Sequence, residues 1–534
     1  MHHARREFLG KSGLALAASL GFVVPSGSVS NETIIITDQP VNIKKIGAVA
    51  DGKTKNTTII NQTIKVLSES GGGSIYFPAG RYLTGAIHLA SNINLHLEPG
   101  AILQFSEDFD DYLPMVASRW QGVESTNFSP LIYAACAENI SITGQGTIDG
   151  AGAVWWDYIL KKRKIYKETG SAPDSKWQQL FRQQNGNAES LQSFGFLRPS
   201  LFQAYQCKNV LLSGVAFRNS PFWTTHYVSC ENVVVDGIDI HNPDSPNTDG
   251  INPESSKNVR ISNCQIDVDD DCITIKSGKG EWGRKNALPC ENITITNCLM
   301  TGGASGVGIG SEMSGGVKKV VVSNCIFDGT STGIHIKTNR ERGGVVEDIR
   351  MTNLIMNNIQ KSPAIHINTR YWIDSQPEPV NEKTPVFRNI HISDISGTNN
   401  KRAVEISGLE EMPVQNISVS RVNLKSEQGL VCEFAEDVQM SDITIDGCEE
   451  SPYRIRECKN IALANLQSNS QANPKITFQI VKQAMVTRSF PFATGSVLEL
   501  DGKENRQILL DEFLRKNQAA VSFINGASSS VLES

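Results

Sequence analysis

The sequence predicts an all-β fold, a single-stranded right-handed parallel β-helix, on three observations. First, a two-strand segment recurs, as in "ENISITGQGTIDG" from Glu138, "KNVRISNCQIDVD" from Lys257 and "KKVVVSNCIFDGT" from Lys318. Second, the repeat period is mostly in the twenties, too short for crossover helices. Third, the chain contains 44 glycines and many short strand-like segments. Such units bury their apolar faces only by stacking, at ~4.8 Å per turn. A β-propeller is the alternative, but its blades need longer four-stranded repeats.

The first element is an export signal over residues 1–30. Arg5 and Arg6 precede an apolar run from Leu14 to Val24 that is too short to span a bilayer. The paired arginines favour a twin-arginine signal, with an ordinary secretory signal as the alternative. We therefore predict an exported protein, periplasmic or extracellular.

The second element is one β-helix domain over residues 40–534. An amphipathic segment near Thr57–Ser70 predicts a helix that covers the open end of the coil. Residues 154–200 interrupt the repeat with helix-like sequence and are interpreted as an insertion that walls one side of a groove. After about Ser470 the strand pattern weakens, and a helix is predicted near Leu509–Lys516.

The composition excludes several classes of partner. A formal net charge of −6 provides no basic surface for nucleic acid, and no later apolar run is long enough for a membrane span. Eleven cysteines include Cys264, Cys298 and Cys325 at one repeat position, which favours buried stacked thiols over disulfides or metal ligands. We expect no metal, no other cofactor and a monomer.

Two neighbouring turns concentrate negative charge. Asp249 lies 22 residues before Asp271, close to one turn of the coil, so the two should stack. Apolar parity slips between Val268 and Ile273, which requires a bend or bulge that places Asp270 and Asp271 on one outer surface. Clustered carboxylates repel one another, so at least one pKa should rise. The resulting acid and base are the pair that glycoside hydrolysis requires.

Two other interpretations of these aspartates are open. Calcium binds clusters of carboxylate oxygens, and aspartates are also common turn residues because their side chains hydrogen-bond to nearby backbone.

Basic and aromatic residues suggest where a substrate would bind. In "STGIHIKTNRERGG", His335 and Lys337 face outwards together, and Arg340 and Arg342 follow on a loop. Such a cluster can bind the carboxylate of an acidic sugar, although solvated basic residues are also common. Trp223 and the nearby His226 lie one turn before Asp249. The tryptophan ring can stack on a sugar or serve as a packing anchor.

The motifs "NTDG", "DDC", "GIGSEMSGGV" and "IKT", in this order, resemble the polygalacturonase family, glycoside hydrolase family 28, and its exo-acting members in particular. The resemblance runs from "GAVADGKT" to about residue 447 and implies a pectin-lyase-like β-helix and inverting hydrolysis of pectin. It implies that Asp270 is the general acid, that Asp249 and Asp271 position and activate water, and that Lys337 binds a substrate carboxylate. Glu312, within the third motif, is predicted to contact substrate as well.

Two positions depart from the family pattern. Ala304 and Ser305 stand where the family has a histidine and a glycine, and His335 stands where it has an arginine. The three carboxylates and the lysine remain, so we favour altered specificity over inactivity. The predicted function is exo-acting hydrolysis of galacturonate-containing pectic chains, including rhamnogalacturonan-type substrates. The alternatives are a non-hydrolytic pectin-binding β-helix and a lyase or epimerase.

Overall fold

The computed structural model describes residues 40–170, 175–186, 198–372, 376–490, 495–516 and 520–533. The predicted export signal lies outside these ranges. All described residues belong to one compact unit. Parallel pairing joins 38 strands into a continuous right-handed β-helix, which confirms the predicted fold, and one antiparallel pair lies outside it.

The first part of the coil runs to residue 149. Its strands are β1 Val41–Asn42, β2 Asp51–Lys55, β3 Gly73–Phe77, β4 Gly80–Thr84, β5 Ile87–Leu89, β6 Ile93–Leu97, β7 Ala101–Phe105, β8 Val116–Trp120, β9 Val123–Asn127, β10 Ile132–Ala135, β11 Glu138–Gly144 and β12 Thr147–Asp149. Strands β8 and β9 form the antiparallel pair.

The middle part carries the acidic turns. Its strands are β13 Phe202–Tyr205, β14 Lys208–Ser213, β15 Ala216–Arg218, β16 Thr225–Val228, β17 Glu231–Asp236, β18 Asp239–Asn242, β19 Ile251–Glu254, β20 Lys257–Ser262, β21 Gln265–Val268, β22 Asp271–Ile275, β23 Cys290–Thr296, β24 Leu299–Met300, β25 Ser305–Gly310, β26 Val317–Asp328, β27 Thr332–Lys337 and β28 Val345–Asn357.

The last part continues the coil to the end of the described chain. Its strands are β29 Pro363–Asn368, β30 Val386–Ser407, β31 Val414–Glu433, β32 Ala435–Asp446, β33 Tyr453–Arg456, β34 Lys459–Gln467, β35 Ile476–Gln479, β36 Lys482–Thr487, β37 Leu498–Asp501, β38 Arg506–Leu510, β39 Val521–Ile524 and β40 Leu532–Glu533.

The helices are short and lie outside the coil wall. They are α1 Thr57–Glu69, α2 Ala153–Thr169, α3 Lys176–Asn185, α4 Gly280–Asn286 and α5 Glu512–Lys516, with 3-10 turns at Ile43–Ile46, Phe109–Tyr112 and Ser529–Val531. Helix α1 buries Ile60, Ile64 and Leu67 where the sequence predicts the amphipathic cap. The predicted start of the last helix at Leu509 is wrong, because Leu509 and Leu510 pair with β36 as part of β38.

Stacking of equivalent residues holds the coil together. The apolar residues of successive strands form one continuous buried core. At one corner Asn139, Asn209, Asn232, Asn258 and Asn292 adopt positive φ, and each side-chain amide donates to the asparagine of the preceding turn at 2.8–3.1 Å. Asparagine tolerates this left-handed conformation better than most residues. Cys264, Cys298 and Cys325 are buried thiols without disulfides, as predicted.

Candidate active site

A bulge at the start of β22 turns two aspartates outwards. Cys272 and Ile273 are adjacent in sequence yet both belong to the apolar core, so the alternation slips by one residue as the parity argument predicts. Asp271 lies just before this slip. Its carboxylate contacts Lys337, which lies on the outer surface two turns of the coil further on.

Backbone hydrogen bonds join the two acidic turns. Asp270 N donates to Thr248 O at 3.1 Å, and Gly250 N donates to Asp271 O at 3.0 Å. A Cβ atom on Gly250 would lie 2.4 Å from Cys272 O, so the motif "NTDG" requires glycine here. Asp269 is exposed and its carboxylate accepts from Asn247 N at 3.0 Å. Within the run of three aspartates, Asp269 is therefore the turn residue.

Asp271 forms a buried ion pair with Lys337. The Lys337 Nζ lies 3.0 and 2.9 Å from the two carboxylate oxygens, and the side chains are 3% and 6% exposed. Burial alone would raise the pKa of Asp271, but Lys337 and Lys276 outweigh it and hold this pKa below its ordinary value. Asp271 is therefore ionised and available as a base.

Asp249 lies on the other side of the trio and faces Lys276. The Lys276 Nζ is 3.2 Å from Asp249 and also 3.2 Å from Glu312. Burial raises the pKa of Asp249 well above its ordinary value, Lys276 opposes this, and Asp270 and Asp271 add to the rise. Burial would also raise the pKa of Glu312, but Lys276, Arg342 and Lys279 lower it to about 2.

Asp270 stands between these two ion pairs and is half-buried. Burial raises its pKa, and the negative charge of Asp271 adds to the rise. Within the described residues no hydrogen bond engages the Asp270 carboxyl group. Asp270 therefore combines a raised pKa with an unengaged carboxyl group, which suits a general acid.

Two of the three carboxylates predicted to form an exposed patch are instead buried on the outer side of the coil. Asp249 and Asp271 are each 2% exposed, because neighbouring side chains on the outer surface cover them. Both pair with lysines of the outer surface and neither belongs to the apolar core. The ammonium groups of Lys276 and Lys337 lie 3.2 and 2.9 Å from these carboxylates. Among the described residues no group of three or more His, Cys, Asp or Glu is arranged to hold a metal ion.

His335, which stands where the family pattern has an arginine, carries a buried, neutral imidazole. His335 is 8% exposed, lies 3.4 Å from Ser305 Oγ through Nδ1 and stacks on His366 at 4.8 Å. Burial lowers its pKa well below the ordinary value, and Lys337 and His366 add to the effect. Tyr371 packs edge-on against His335 at 5.5 Å and faces Lys337 at 5.3 Å. This side of the pocket therefore presents no unpaired positive charge from His335.

Three residues predicted to contact substrate are held by other residues of the protein. His226 is fully buried, with Nδ1 bound to Gln203 at 2.9 Å and Nε2 to Glu254 at 2.8 Å, so both ring nitrogens are occupied. Trp223 is 3% exposed, and its ring contacts Lys276 at 4.1 Å. Arg340 is engaged by Glu411 at 2.5 and 2.9 Å. Their direct contact with substrate stays a prediction.

Lys276, Lys279 and Tyr371 are functional candidates that the sequence reasoning missed. Lys279 and Arg342 lie near Glu312, and neither forms an ion pair within the described chain. Together with Lys276 they give this side of the pocket an excess of positive charge. The outward position of Lys276 was predictable from the alternation of side chains along the strand. Ile273 and Ile275 point inwards, so the next residue must point outwards.

The hairpin β8–β9 closes one end of the groove. Arg119 donates to Glu124 at 2.8 Å and to Ser255 at 3.0 Å, and its guanidinium group lies 4.4 Å from the centre of the Trp282 ring. Gly122 O accepts from Lys279 N at 3.0 Å. The sequence predicts a wall at residues 154–200, of which residues 171–174 and 187–197 lie outside the described chain. Helix α2 does reach the acidic turn, through Arg163 and Asn247 at 3.2 Å.

Comparisons with known proteins agree with this geometry. A family model described as glycosyl hydrolases family 28 matches residues 176–439, and one described as rhamnogalacturonase A/epimerase, pectate lyase-like, matches residues 40–170. A probable polygalacturonase of Vitis vinifera is 31% identical over 71% of this chain and 72% of its own length. An exo-poly-alpha-D-galacturonosidase of Dickeya chrysanthemi is 26% identical over 85% of this chain and 80% of its own length.

Solved structures give the same result. A hyperthermoactive exopolygalacturonase from Thermotoga maritima is 36% identical, with a TM-score of 0.68 over 77% of this chain and 92% of its own. A family 28 exopolygalacturonase of Yersinia enterocolitica is 27% identical, with a TM-score of 0.65 over 80% of this chain and 78% of its own. Within the described residues, no helix is both long and apolar enough to cross a bilayer.

Proposed function

The chain belongs to family 28 of the glycosyl hydrolases, and we propose that it releases galacturonate from one end of a pectic chain by inverting hydrolysis. It is a galacturonate-cleaving glycoside hydrolase. The observation that carries the proposed mechanism is the difference in contacts among the three aspartates. Asp271 pairs with Lys337 and Asp249 pairs with Lys276, whereas no hydrogen bond of the described residues engages the Asp270 carboxyl group. Asp270 has a raised pKa and an unengaged carboxyl group, whereas Asp271 has a lowered pKa beside Lys337.

In this mechanism Asp270 donates its proton to the glycosidic oxygen as the bond to the anomeric carbon breaks. A water molecule attacks the opposite face of that carbon and gives a proton to Asp271, which Lys337 keeps ionised. Asp249, paired with Lys276, holds the same water in line. Each turnover leaves Asp270 without its proton and Asp271 with one, and exchange with solvent restores the starting state.

The carboxylate of the terminal galacturonate binds beside Glu312 in this proposal. Lys279 and Arg342 provide unpaired cations there, and Lys276 adds a third positive charge. Burial lowers the pKa of Lys279, which means that its ammonium group is already partly removed from water. Pairing this group with a uronate carboxylate would therefore cost little further desolvation of the lysine. The hairpin β8–β9 lies against Lys279, which supports exo action, since a longer chain would collide with it.

The sugar on the leaving side is proposed to be neutral, as rhamnose is in a rhamnogalacturonan. Lys337 is engaged by Asp271 and Arg340 by Glu411, so neither ammonium nor guanidinium is available without breaking a pair. His335 is neutral and buried. Tyr371 supplies an aromatic face at this position.

We also propose that the protein is exported. The support is the sequence alone, in which Arg5 and Arg6 precede a short apolar run. Cell fractionation and mass spectrometry of the mature amino terminus test this proposal. Recovery of the intact chain from the cytoplasm alone would contradict it.

Product analysis tests the function. The protein is incubated with oligogalacturonides and with rhamnogalacturonan oligosaccharides that end in galacturonate, and the products are separated by chromatography. We expect free galacturonate to appear first, and more rapidly from the rhamnogalacturonan fragments. The Asp270→Asn variant is the matched control, because its side chain differs by one atom and breaks no hydrogen bond of the described chain. No product from any fragment would overturn the proposal, and an unsaturated product would indicate a lyase.

A further inference from the structure

A second cleft of about 400 Å³ lies on the same outer face as the candidate active site, nearer the carboxyl terminus. We propose that this cleft, here called the distal cleft, binds the far part of an acidic oligosaccharide whose end occupies the active site. It is lined by Arg402, Glu405, Ser407, Glu433, Arg454 and Arg456, among others. The inference rests on the proposed function, since it extends the same binding groove.

Strand register connects the two sites. His335 pairs with His366, His366 with Glu405, Glu405 with Val431, and Val431 with Arg454. A parallel column starts at Lys337 and passes Ser407 and Glu433 before it reaches Arg456. Arg454 therefore lies four rungs from His335, or ~19 Å along the coil at the ordinary strand spacing. An extended sugar chain several units long reaches this distance.

Side-chain contacts also bridge the interval. His366 stacks on His335 at 4.8 Å, and its Nε2 lies 3.5 Å from Glu405. Glu405 in turn pairs with Arg402. Polar groups thus line the surface without a break from the candidate active site to the distal cleft.

The charge of the distal cleft fits an acidic sugar. Three guanidinium groups and two carboxylates line it, and Glu450, which pairs with Arg454 from outside the lining, balances the third positive charge, so a ligand carboxylate would bind in exchange for one of these partners. Glu433 pairs with Arg456 at 2.9 Å, but Arg456 Nε is buried and has no hydrogen-bond partner in the described chain. Arg454 pairs with Glu450 at 2.8 Å, and Glu450 is 73% exposed, where such a pair contributes little. Both arginines can therefore turn to a ligand carboxylate.

The remaining lining suits sugar hydroxyl groups. Ser407, Thr477 and Gln479 add short polar side chains to the wall. Serine and threonine hydroxyls and a glutamine amide both donate and accept hydrogen bonds, as sugar hydroxyls do. Arginine forks are also geometrically suited to carboxylates.

The closed end of the groove gives the direction. The hairpin β8–β9 covers the outer face on the amino-terminal side, where Ser118 Oγ donates to Gln203 Oε1 at 2.9 Å and Tyr133 Oη donates to Ala117 O at 2.6 Å. A chain whose end lies over Asp270 can leave only towards the carboxyl-terminal rungs. The distal cleft is on that route.

The test is the dependence of activity on substrate length. Arg456→Gln and Arg454→Gln are compared with wild type on a disaccharide and on an octasaccharide of the same rhamnogalacturonan or oligogalacturonide series. Arg421→Gln is the matched control, because Arg421 forms an exposed pair with Asp394 outside the distal cleft. We expect kcat/KM on the octasaccharide to fall about fivefold to tenfold through KM, with the disaccharide and the control unchanged within about twofold.

Equal losses on both lengths, or no loss on the octasaccharide, would overturn the inference. The proposed function fails separately, if wild type cleaves neither substrate. In that case isothermal calorimetry with the octasaccharide still decides the matter, because the distal cleft predicts weaker binding by Arg456→Gln than by wild type and Arg421→Gln. Identical affinities of all three proteins would reject the distal cleft.

Discussion

Replacing Lys337 by methionine should disable the base, and the structure sets the size of the effect. The pair of Lys337 and Asp271 is buried, with side chains 6% and 3% exposed. Breaking a buried pair by removing one partner costs about 3–5 kcal/mol of stability, because a charge is left uncompensated. We therefore expect a clearly lower midpoint of thermal or urea unfolding.

The catalytic consequence is a shift in the pH profile. In the wild type Lys337 and Lys276 together outweigh burial and hold the pKa of Asp271 low. The stability that the pair contributes is present above the ordinary carboxyl pKa of 3.8 and is lost as the pH falls through the lower folded value. Without the ammonium group, burial dominates and the pKa of Asp271 rises. The acidic limb of kcat/KM should then move to higher pH, with a loss of about 100-fold or more in mildly acidic buffer.

The assay is the initial rate of galacturonate release as a function of pH. Lys318→Met is the control, since Lys318 pairs with Glu291 at 3.3 Å in a half-exposed position and should cost less than about 1 kcal/mol. Lys337→Arg keeps the charge and should keep the acidic limb near its wild-type position. A folded Lys337→Met protein with an unchanged acidic limb would refute the role given to this pair.

Three further changes follow from the same geometry. Asp270→Asn should lower kcat about 100-fold to 10,000-fold with unfolding unchanged, measured by galacturonate release and calorimetry; near-normal turnover would contradict the assigned acid. Trp372→Ala removes a ring that is 86% exposed and stacks on Tyr371 at 4.4 Å; KM should rise about twofold to fivefold without loss of stability, and an unchanged KM would mean that the indole does not touch substrate. His226→Leu leaves the buried Glu254 without one partner. The free energy of unfolding should fall by about 1–3 kcal/mol while KM stays near the wild-type value. A change in KM without a loss of stability would show that His226 contacts substrate directly.

The fold and the acidic turns could be predicted because both depend on local periodicity. The repeated pairs of strands predict that the turns stack. The alternation of apolar residues shifts by one residue before Ile273, and this shift predicts the bulge that turns Asp270 and Asp271 outwards. Lys337 follows from the same alternation, since Ile334 and Ile336 are fully buried on either side of His335.

Burial and pairing over long sequence distances could not be predicted in this way. His226 meets Glu254 and Gln203 only through the register of neighbouring rungs. The hairpin β8–β9 reaches Ser255 and Lys279 across more than 130 residues, and its weak strand pattern does not report where it packs. Asp271, predicted on an open surface, is buried for the same reason, because its partner Lys337 lies 66 residues further along the chain.

The most direct measurement is the anomeric configuration of the first product. Proton NMR follows a galacturonate-ended α-linked pectic oligosaccharide from the moment the enzyme is added. Inverting exo-hydrolysis at the Asp270 and Asp271 pair predicts monomeric β-galacturonate, which then mutarotates to the equilibrium mixture. Initial release of the α-anomer, of longer fragments or of an unsaturated sugar would contradict the account.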